Sequence, residues 1–307
     1  MPEGLIIKAL SGYYYVLPEK KSCLFLESTH VSGDLELIQC RGRGIFRKNK
    51  ITPLVGDRVI YELTENGEGM VDEILSRTSE LIRPPIANVK LAVLVFSLDE
   101  PAMNLQLLDK FLVHIEHEGL DTLICLTKQD LLDIADSSSQ VQKQYEDIGY
   151  RVLITSIVSR QGIDAVLGQL ENTISVFSGQ SGVGKSSLLN AMMPGLRLET
   201  NEISSKLGRG KHTTRHVELI PLPNGGWVAD TPGFSQLDFV QVEAEELGSC
   251  FIEFQSFAEN CKFRGCIHHQ EPGCKVISGV ADGLIAKSRY AHYLQFLTEI
   301  KERKRRY

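Results

Sequence analysis

The most specific chemistry in the chain lies in nine residues, Gly179-Gln180-Ser181-Gly182-Val183-Gly184-Lys185-Ser186-Ser187. They fit the pattern G-x-x-x-x-G-K-[ST], in which glycines let backbone N–H groups turn inward around phosphate oxygens. Apolar residues 174–177 before the loop predict a strand. Residues 187–192 after it predict a helix that ends before Pro194, and the N-terminus of that helix favours an anion. In this setting Lys185 reaches the β- and γ-phosphates of a nucleotide and Ser186 ligates Mg²⁺. A second cluster lies far downstream, where Cys261, Cys266 and Cys274 flank the pair His268-His269. Three thiolates and one imidazole within fourteen residues suit tetrahedral Zn²⁺. Four protein ligands leave no open position, so the expected role is structural. Spacing alone leaves both histidines as candidates.

Two further motifs concern the nucleotide. Asp230-Thr231-Pro232-Gly233 follows the apolar residues 227–229. A carboxylate at a strand end can hold Mg²⁺, and the Gly233 N–H can sense a γ-phosphate. Thr127-Lys128-Gln129-Asp130 follows the apolar residues 123–126 and resembles the N-K-x-D guanine reader of GTPases. There the Asp130 carboxylate accepts two hydrogen bonds from guanine that adenine cannot offer. The stem of Lys128 packs over the base. Thr127 stands where that motif has Asn, which predicts weaker bracing of the loop. Ser156 falls where GTPases place the S-A segment along the guanine, with Ile157 in place of Ala. Ordinary small GTPases run phosphate loop, D-x-x-G, N-K-x-D, S-A. Here the base reader comes first, so the chain reads as circularly permuted. Permutation moves the termini to exposed loops and keeps the strand neighbours. It also leads the D-x-x-G segment directly into the C-terminal part, a natural order–disorder switch.

These motifs need elements to position them. The chain has 307 residues, 42% of them hydrophobic and 23% charged, enough for a core in two or three domains. A net charge of -6 means that any RNA contact must come from local basic patches. Residues 1–72 read as short strands with turn punctuation, which suggests a small β-barrel or sandwich, with an OB-like barrel as one candidate. Within them, residues 41–48 form a basic stretch with one aromatic, which reads as an RNA-backbone contact or as a solvated hairpin. Residues 77–85 end in Arg83-Pro84-Pro85 and predict an extended linker. Residues 86–240 alternate continuous apolar runs (91–96, 122–126) with helical stretches such as 105–119, the pattern of a doubly wound α/β domain. Residues 241–307 predict a helix over 243–258, the cysteine knuckle and a helix over 284–304 with a basic tail. No apolar run of membrane-spanning length occurs, and the N-terminus lacks the features of a secretory signal. Reduced thiols and a metal fit a cytoplasmic protein. Cys23, Cys40, Cys125 and Cys250 read as core or surface residues.

Taken together, T-K-Q-D at 127–130, the phosphate loop at 179–187, K-H-T-T-R at 211–215, D-T-P-G at 230–233 and the knuckle at 261–274 resemble the RsgA family, the small-subunit-dependent GTPases. The resemblance covers nearly the whole chain. It implies an α/β fold: a circularly permuted GTPase domain with an N-terminal OB fold and a C-terminal zinc domain. It also implies GTP hydrolysis stimulated by the small ribosomal subunit and its rRNA in late subunit maturation, and it selects His268 as the fourth zinc ligand. Lys211-His212-Thr213-Thr214-Arg215 looks like the family's switch I, with Thr214 favoured over Thr213 for Mg²⁺ and the γ-phosphate. Phe234 occupies the place of the water-orienting Gln of Ras-like enzymes, and a phenyl ring cannot orient water. His212 is the candidate that replaces it. A monomer is expected. The competing readings are a GTP-regulated rRNA-binding scaffold in which turnover is incidental, an ATPase, and a catalytic zinc enzyme.

Overall fold

The computed structural model describes residues 1–19, 36–82, 84–131, 136–193, 217–232 and 237–306. Five strands close into the N-terminal barrel: β1 (Glu3–Leu10), β2 (Tyr13–Pro18), β3 (Ile38–Gly42), β4 (Arg58–Leu63) and β5 (Gly69–Ile74). Their order around the barrel is β1-β2-β3-β5-β4, with β3 and β5 parallel and the remaining pairs antiparallel. Such a five-stranded arrangement matches the OB-like barrel. The inward set Ile6, Val16, Cys40, Val59, Tyr61 and Val71 is buried, as period-2 alternation requires.

Two expectations in this region change. The basic stretch is not a hairpin, because β3 runs into a short helix, Gly44–Lys48. Arg43 in it is ion-paired with Glu62 at 3.0 Å and also with Asp72, and Arg41 donates to the Tyr13 hydroxyl. The linker is not simply extended either. β6 (Glu80–Ile82) and β7 (Pro85–Ala87) pair as a small antiparallel ribbon. Arg77 anchors it to the barrel through a two-pronged contact with buried Asp57, 2.7 Å on each side. No sequence pattern announces a long-range pair of that kind.

The central sheet has the order β10-β9-β8-β11-β13-β12. Its strands are β8 (Val89–Ser97), β9 (Asp121–Thr127), β10 (Arg151–Ile154), β11 (Ile174–Ser178), β12 (Leu219–Pro221) and β13 (Trp227–Pro232). All neighbours are parallel except β12 and β13. β8 is buried at eight of nine positions, since helices or loops cover both faces. One covering helix, Leu105–His117, starts where the Asn104 side chain accepts the Leu107 N–H at 2.9 Å.

In the C-terminal part, the single helix expected over residues 243–258 is instead two 3₁₀ turns, Leu247–Cys250 and Ile252–Phe254, followed by a short helix, Gln255–Ala258. Phe251 is extended between the turns and packs its ring on Phe254, Tyr293 and Phe296. Aromatic packing overrides helical periodicity there. The helix Lys287–Arg306 lies over this cluster. Among the described residues, no helix is long and apolar enough to cross a membrane.

Candidate functional site

The three nucleotide motifs meet at the carboxyl edge of the parallel strands. The phosphate loop leaves β11, Thr127 ends β9, and Asp230 lies near the end of β13. β11 has β8 and β13 as its neighbours, so the loop sits between base reader and carboxylate. Open parallel sheets bind ligands at this edge.

Backbone conformation shapes the loop. Gly179, Gly182 and Gly184 have φ of 144°, 82° and 94°, a region open to glycine. A Cβ on Gly179 would stand 2.1 Å from the Val95 carbonyl oxygen, so that position also admits no side chain. Helix Lys185–Met192 follows directly, and its Gly184 cap has no side chain to occupy the first-turn N–H groups. Val183 is buried and pins the loop to the core below, while Ser181 and Gly182 are exposed at its tip. Lys185 is half-buried and donates to the carbonyls of Gly179 at 2.9 Å and Gln180 at 2.6 Å. Burial lowers its pKa from the ordinary lysine value. Lys185 and Asp230 line one small cavity of about 10 Å³ with Phe177, Leu189 and Val228. Ser186 and Ser187 are half-buried in the first turn of the helix. The Ser186 hydroxyl and the Asp230 carboxylate are hard-oxygen donors of the kind that Mg²⁺ takes.

The loop at residues 127–130 is tied to the phosphate loop. Thr127 is 1% exposed, and its hydroxyl lies 2.7 Å from the Val183 carbonyl oxygen and 3.2 Å from that of Phe96. The hydroxyl that replaces the usual amide therefore makes a brace of its own. Asp130 sits on the 3₁₀ turn Gln129–Leu131 and accepts a hydrogen bond from Ser156 Oγ at 2.5 Å. Ser156 is buried and also accepts the Ser159 N–H at 3.2 Å. Lys128, at φ 63°, donates its ammonium to the Glu100 carbonyl. Sequence reasoning missed this use of the loop after β8, and no residue type there signals it. Lys211, His212, Thr213, Thr214, Arg215, Gly233 and Phe234 lie outside the described residues, as does Cys23.

The knuckle gathers Cys261, Cys266, His268 and Cys274, with all ligand atoms within 4.8 Å of one another. His268 Nδ1 lies 3.4 Å from Cys274 Sγ and 3.7 Å from Cys261 Sγ, and the two sulfurs are 3.9 Å apart. A tetrahedral ion with ~2.3 Å bonds to sulfur and ~2.0 Å bonds to nitrogen spaces its ligands by roughly 3.5–3.8 Å. The four side chains therefore fit a tetrahedral metal ion. His268 is buried and His269 is exposed, so the residue that the resemblance selected is the one inside. Its backbone, at φ 54°, is held by neighbours: Tyr290 donates to its carbonyl at 2.9 Å, and Glu271 accepts the N–H groups of Ile267 and His269 at 3.1 and 2.8 Å. Cys40, Cys125 and Cys250 are buried core residues, and burial pushes their thiols up to about 12, 12 and 11. Thiols this hard to ionise are inert.

The sequence did not foretell a buried charge cluster under the C-terminal part. Arg289 contacts Asp109 at 2.6 Å and grips Glu253 with two bonds of 2.7 and 2.8 Å. Tyr145 donates to Asp109 at 2.7 Å, and His292 Nδ1 lies 2.5 Å from its other oxygen.

Family comparison agrees with this geometry. Residues 74–240 match the RsgA GTPase model and residues 30–71 match the RsgA N-terminal domain model. The Bacillus velezensis protein named small ribosomal subunit biogenesis GTPase RsgA is 55% identical over 310 residues, covering 100% of both chains. The crystal structure of YloQ, a circularly permuted GTPase, superposes with a TM-score of 0.80 at 48% identity, covering 99% of this chain and 96% of that one. YjeQ from Thermotoga maritima superposes with a TM-score of 0.83 at 35% identity, covering 97% and 98%. A permuted phosphate-loop site, an OB-like barrel and full-length identity above one half lead to one assignment: the chain belongs to the RsgA family of circularly permuted GTPases.

Proposed function

We propose that the chain couples GTP hydrolysis to maturation of the small ribosomal subunit, which triggers turnover when it binds. The observation that carries this reading is the convergence of phosphate loop, base reader and Asp230 at one sheet edge, with the barrel packed against the same domain. Residues 1–72 contact rRNA, residues 86–240 bind and cleave GTP, and residues 241–307 form the zinc-bearing docking domain. Asp130 and Ser156 read the guanine edge, Lys128 covers the base, and Thr127 fixes their height relative to the phosphates. The backbone N–H groups of residues 179–187 cradle the phosphates. Lys185 exchanges its two carbonyl partners for phosphate oxygens. Its charge and the loop dipoles then stabilise the negative charge that spreads over the transferring phosphoryl group. Ser186, Thr214 and Asp230 would hold Mg²⁺, which neutralises phosphate charge when bound. Gly233 reports the γ-phosphate. His212 orients the attacking water; His212→Ala is expected to lower hydrolysis and spare GTP binding, and an unchanged rate removes it from that role. Three thiolates and one imidazole favour zinc as the knuckle's ion, in a closed structural site. The protein works as a monomer in the cytoplasm.

The test is GTP hydrolysis with and without purified small subunits. Strong stimulation is expected. Tight GTP binding without stimulation would overturn the ribosomal coupling and leave the nucleotide chemistry standing.

A further inference from the structure

A strand has two edges. β2 covers one edge of β1 along its length, from Gly4 to Leu10. β4 covers the other edge at Glu3, Gly4 and Leu5. Further along that second edge, at Lys8, the partner comes from outside the barrel. Lys8 forms an antiparallel bridge with Glu218, and its ammonium meets the Glu218 carboxylate at 2.8 Å. Glu218 is bonded on its other side as well: its carbonyl accepts the Asp230 N–H at 2.8 Å. Leu219 then opposes Ala229 in the ladder of β12 and β13. One residue thus spans barrel and nucleotide edge, with Lys8 on one flank and the Asp230 backbone on the other.

The apolar surroundings reinforce this link. Val217, Leu219 and Ala229 share one continuous core with Ile6 and Ile7 of β1. At the opposite end of β13 the fit between the parts is loose. There a cavity of about 250 Å³ separates Glu3, Leu5 and Arg58 from Pro221 and Trp227. The barrel therefore holds the sheet near Asp230 more closely than near Trp227. In sequence, Glu218 also stands three residues beyond Arg215, the end of the K-H-T-T-R motif.

We propose that Lys8 and Glu218 are positioning residues: they set the backbone of Asp230, and through it the hydrolysis rate, according to how the barrel is held by its partner. This inference rests on the small-subunit reading above. The side chains are 31% and 43% exposed, so the pair itself adds little to stability and its variants should fold.

The experiment compares full-length wild type, Lys8→Glu, Glu218→Lys and the double reversal. For each, kcat and KM for GTP are measured with and without purified small subunits, and subunit binding is measured separately by co-sedimentation. In each single variant the ratio of stimulated to basal kcat is expected to fall by about threefold or more, at unchanged KM and unchanged subunit binding. The double reversal is expected to restore most of that ratio, because it rebuilds the pair with opposite polarity. A merely structural role would lower basal and stimulated turnover together and leave their ratio unchanged. Wild-type ratios in both single variants, a double variant no better than the singles, or a loss of stimulation that tracks lost subunit binding would each overturn the inference. Those results all presuppose a stimulated wild type. A wild type without stimulation overturns the small-subunit reading itself, and the inference with it.

Discussion

The nucleotide edge and the cluster around Arg289 are both polar, and both join distant parts of the chain, yet they are built on opposite principles. Arg289 is 1% exposed, and its guanidinium makes three short contacts to two carboxylates while its face lies 4.7 Å from the Phe251 ring. Burial works against its charge, but Asp109 and Glu253 hold it well above the ordinary arginine value. Asp109 in turn spends its oxygens on Arg289, Tyr145 and His292. Both oxygens are already engaged. At the nucleotide edge, Lys185 is held by neutral carbonyls and Asp130 is exposed with one hydroxyl donor. Neutral partners of this kind can be exchanged for a ligand, which is what the proposed function asks of both residues. A polar site can do chemistry where its groups are oriented but not saturated. A saturated site fixes geometry, here by clamping helix Leu105–His117 to the C-terminal helix.

The largest expected effect tests the saturated side. Arg289→Ala leaves Asp109 and Glu253 buried without their counter-charge, and breaking such a pair costs about 3–5 kcal/mol. Urea unfolding should show that loss, while GTP turnover per folded molecule stays near wild type. A stability close to wild type would mean that the cluster is not closed, and the contrast would fail. Lys185→Ala should do the reverse. Its hydrogen-bond partners are neutral carbonyls, so the unfolding midpoint should move far less than in Arg289→Ala. Losing one preorganised positive group costs roughly 10²–10³ in kcat. A variant that unfolds as readily as Arg289→Ala would place Lys185 among the structural groups. Asp130→Asn should come next. On the proposed base reading it replaces a carboxylate acceptor by an amide, and hydrogen bonds to a charged group are worth about 1.5–3 kcal/mol. GTP affinity should drop by about ten- to a hundredfold in competition binding, with preference moving toward xanthine nucleotides. Unchanged selectivity would remove Asp130 from base reading.

The same contrast explains what the sequence made legible. The phosphate loop is written in consecutive residues, because glycine backbones and one lysine build it locally. The knuckle is nearly as local, since its four ligands lie within fourteen residues. The apolar runs at β8 and β9 announced a buried parallel sheet for the same reason. Asp109 and Arg289 are 180 residues apart and each looks like an ordinary surface charge on a helix. Lys8 and Glu218 are 210 apart and equally anonymous. Only the tertiary fold pairs them. The helix expected over residues 243–258 went astray by a related route: Leu247, Phe251 and Phe254 do have helical spacing, but packing against Tyr293 and Phe296 decides the backbone.

Thr127 lies between the two classes, and its effect should be the smallest. It is as buried as Arg289, yet its hydroxyl holds only the Val183 and Phe96 carbonyls. Thr127→Val keeps the shape and deletes the donor, which leaves a carbonyl under the phosphate loop short of a partner. An unsatisfied buried group costs about 1–3 kcal/mol, and part of that should appear as a looser loop rather than as unfolding. KM for GTP should rise about three- to tenfold with kcat nearly unchanged, because the loop's height relative to the base reader is lost and Lys185 is not. Thr127→Ser retains the hydroxyl and should stay within about twofold of wild type, apart from the small cost of a missing methyl. If Val and Ser behave alike, packing by the methyl group and not the hydroxyl brace joins the two loops, and Thr127 belongs with the saturated structural groups after all.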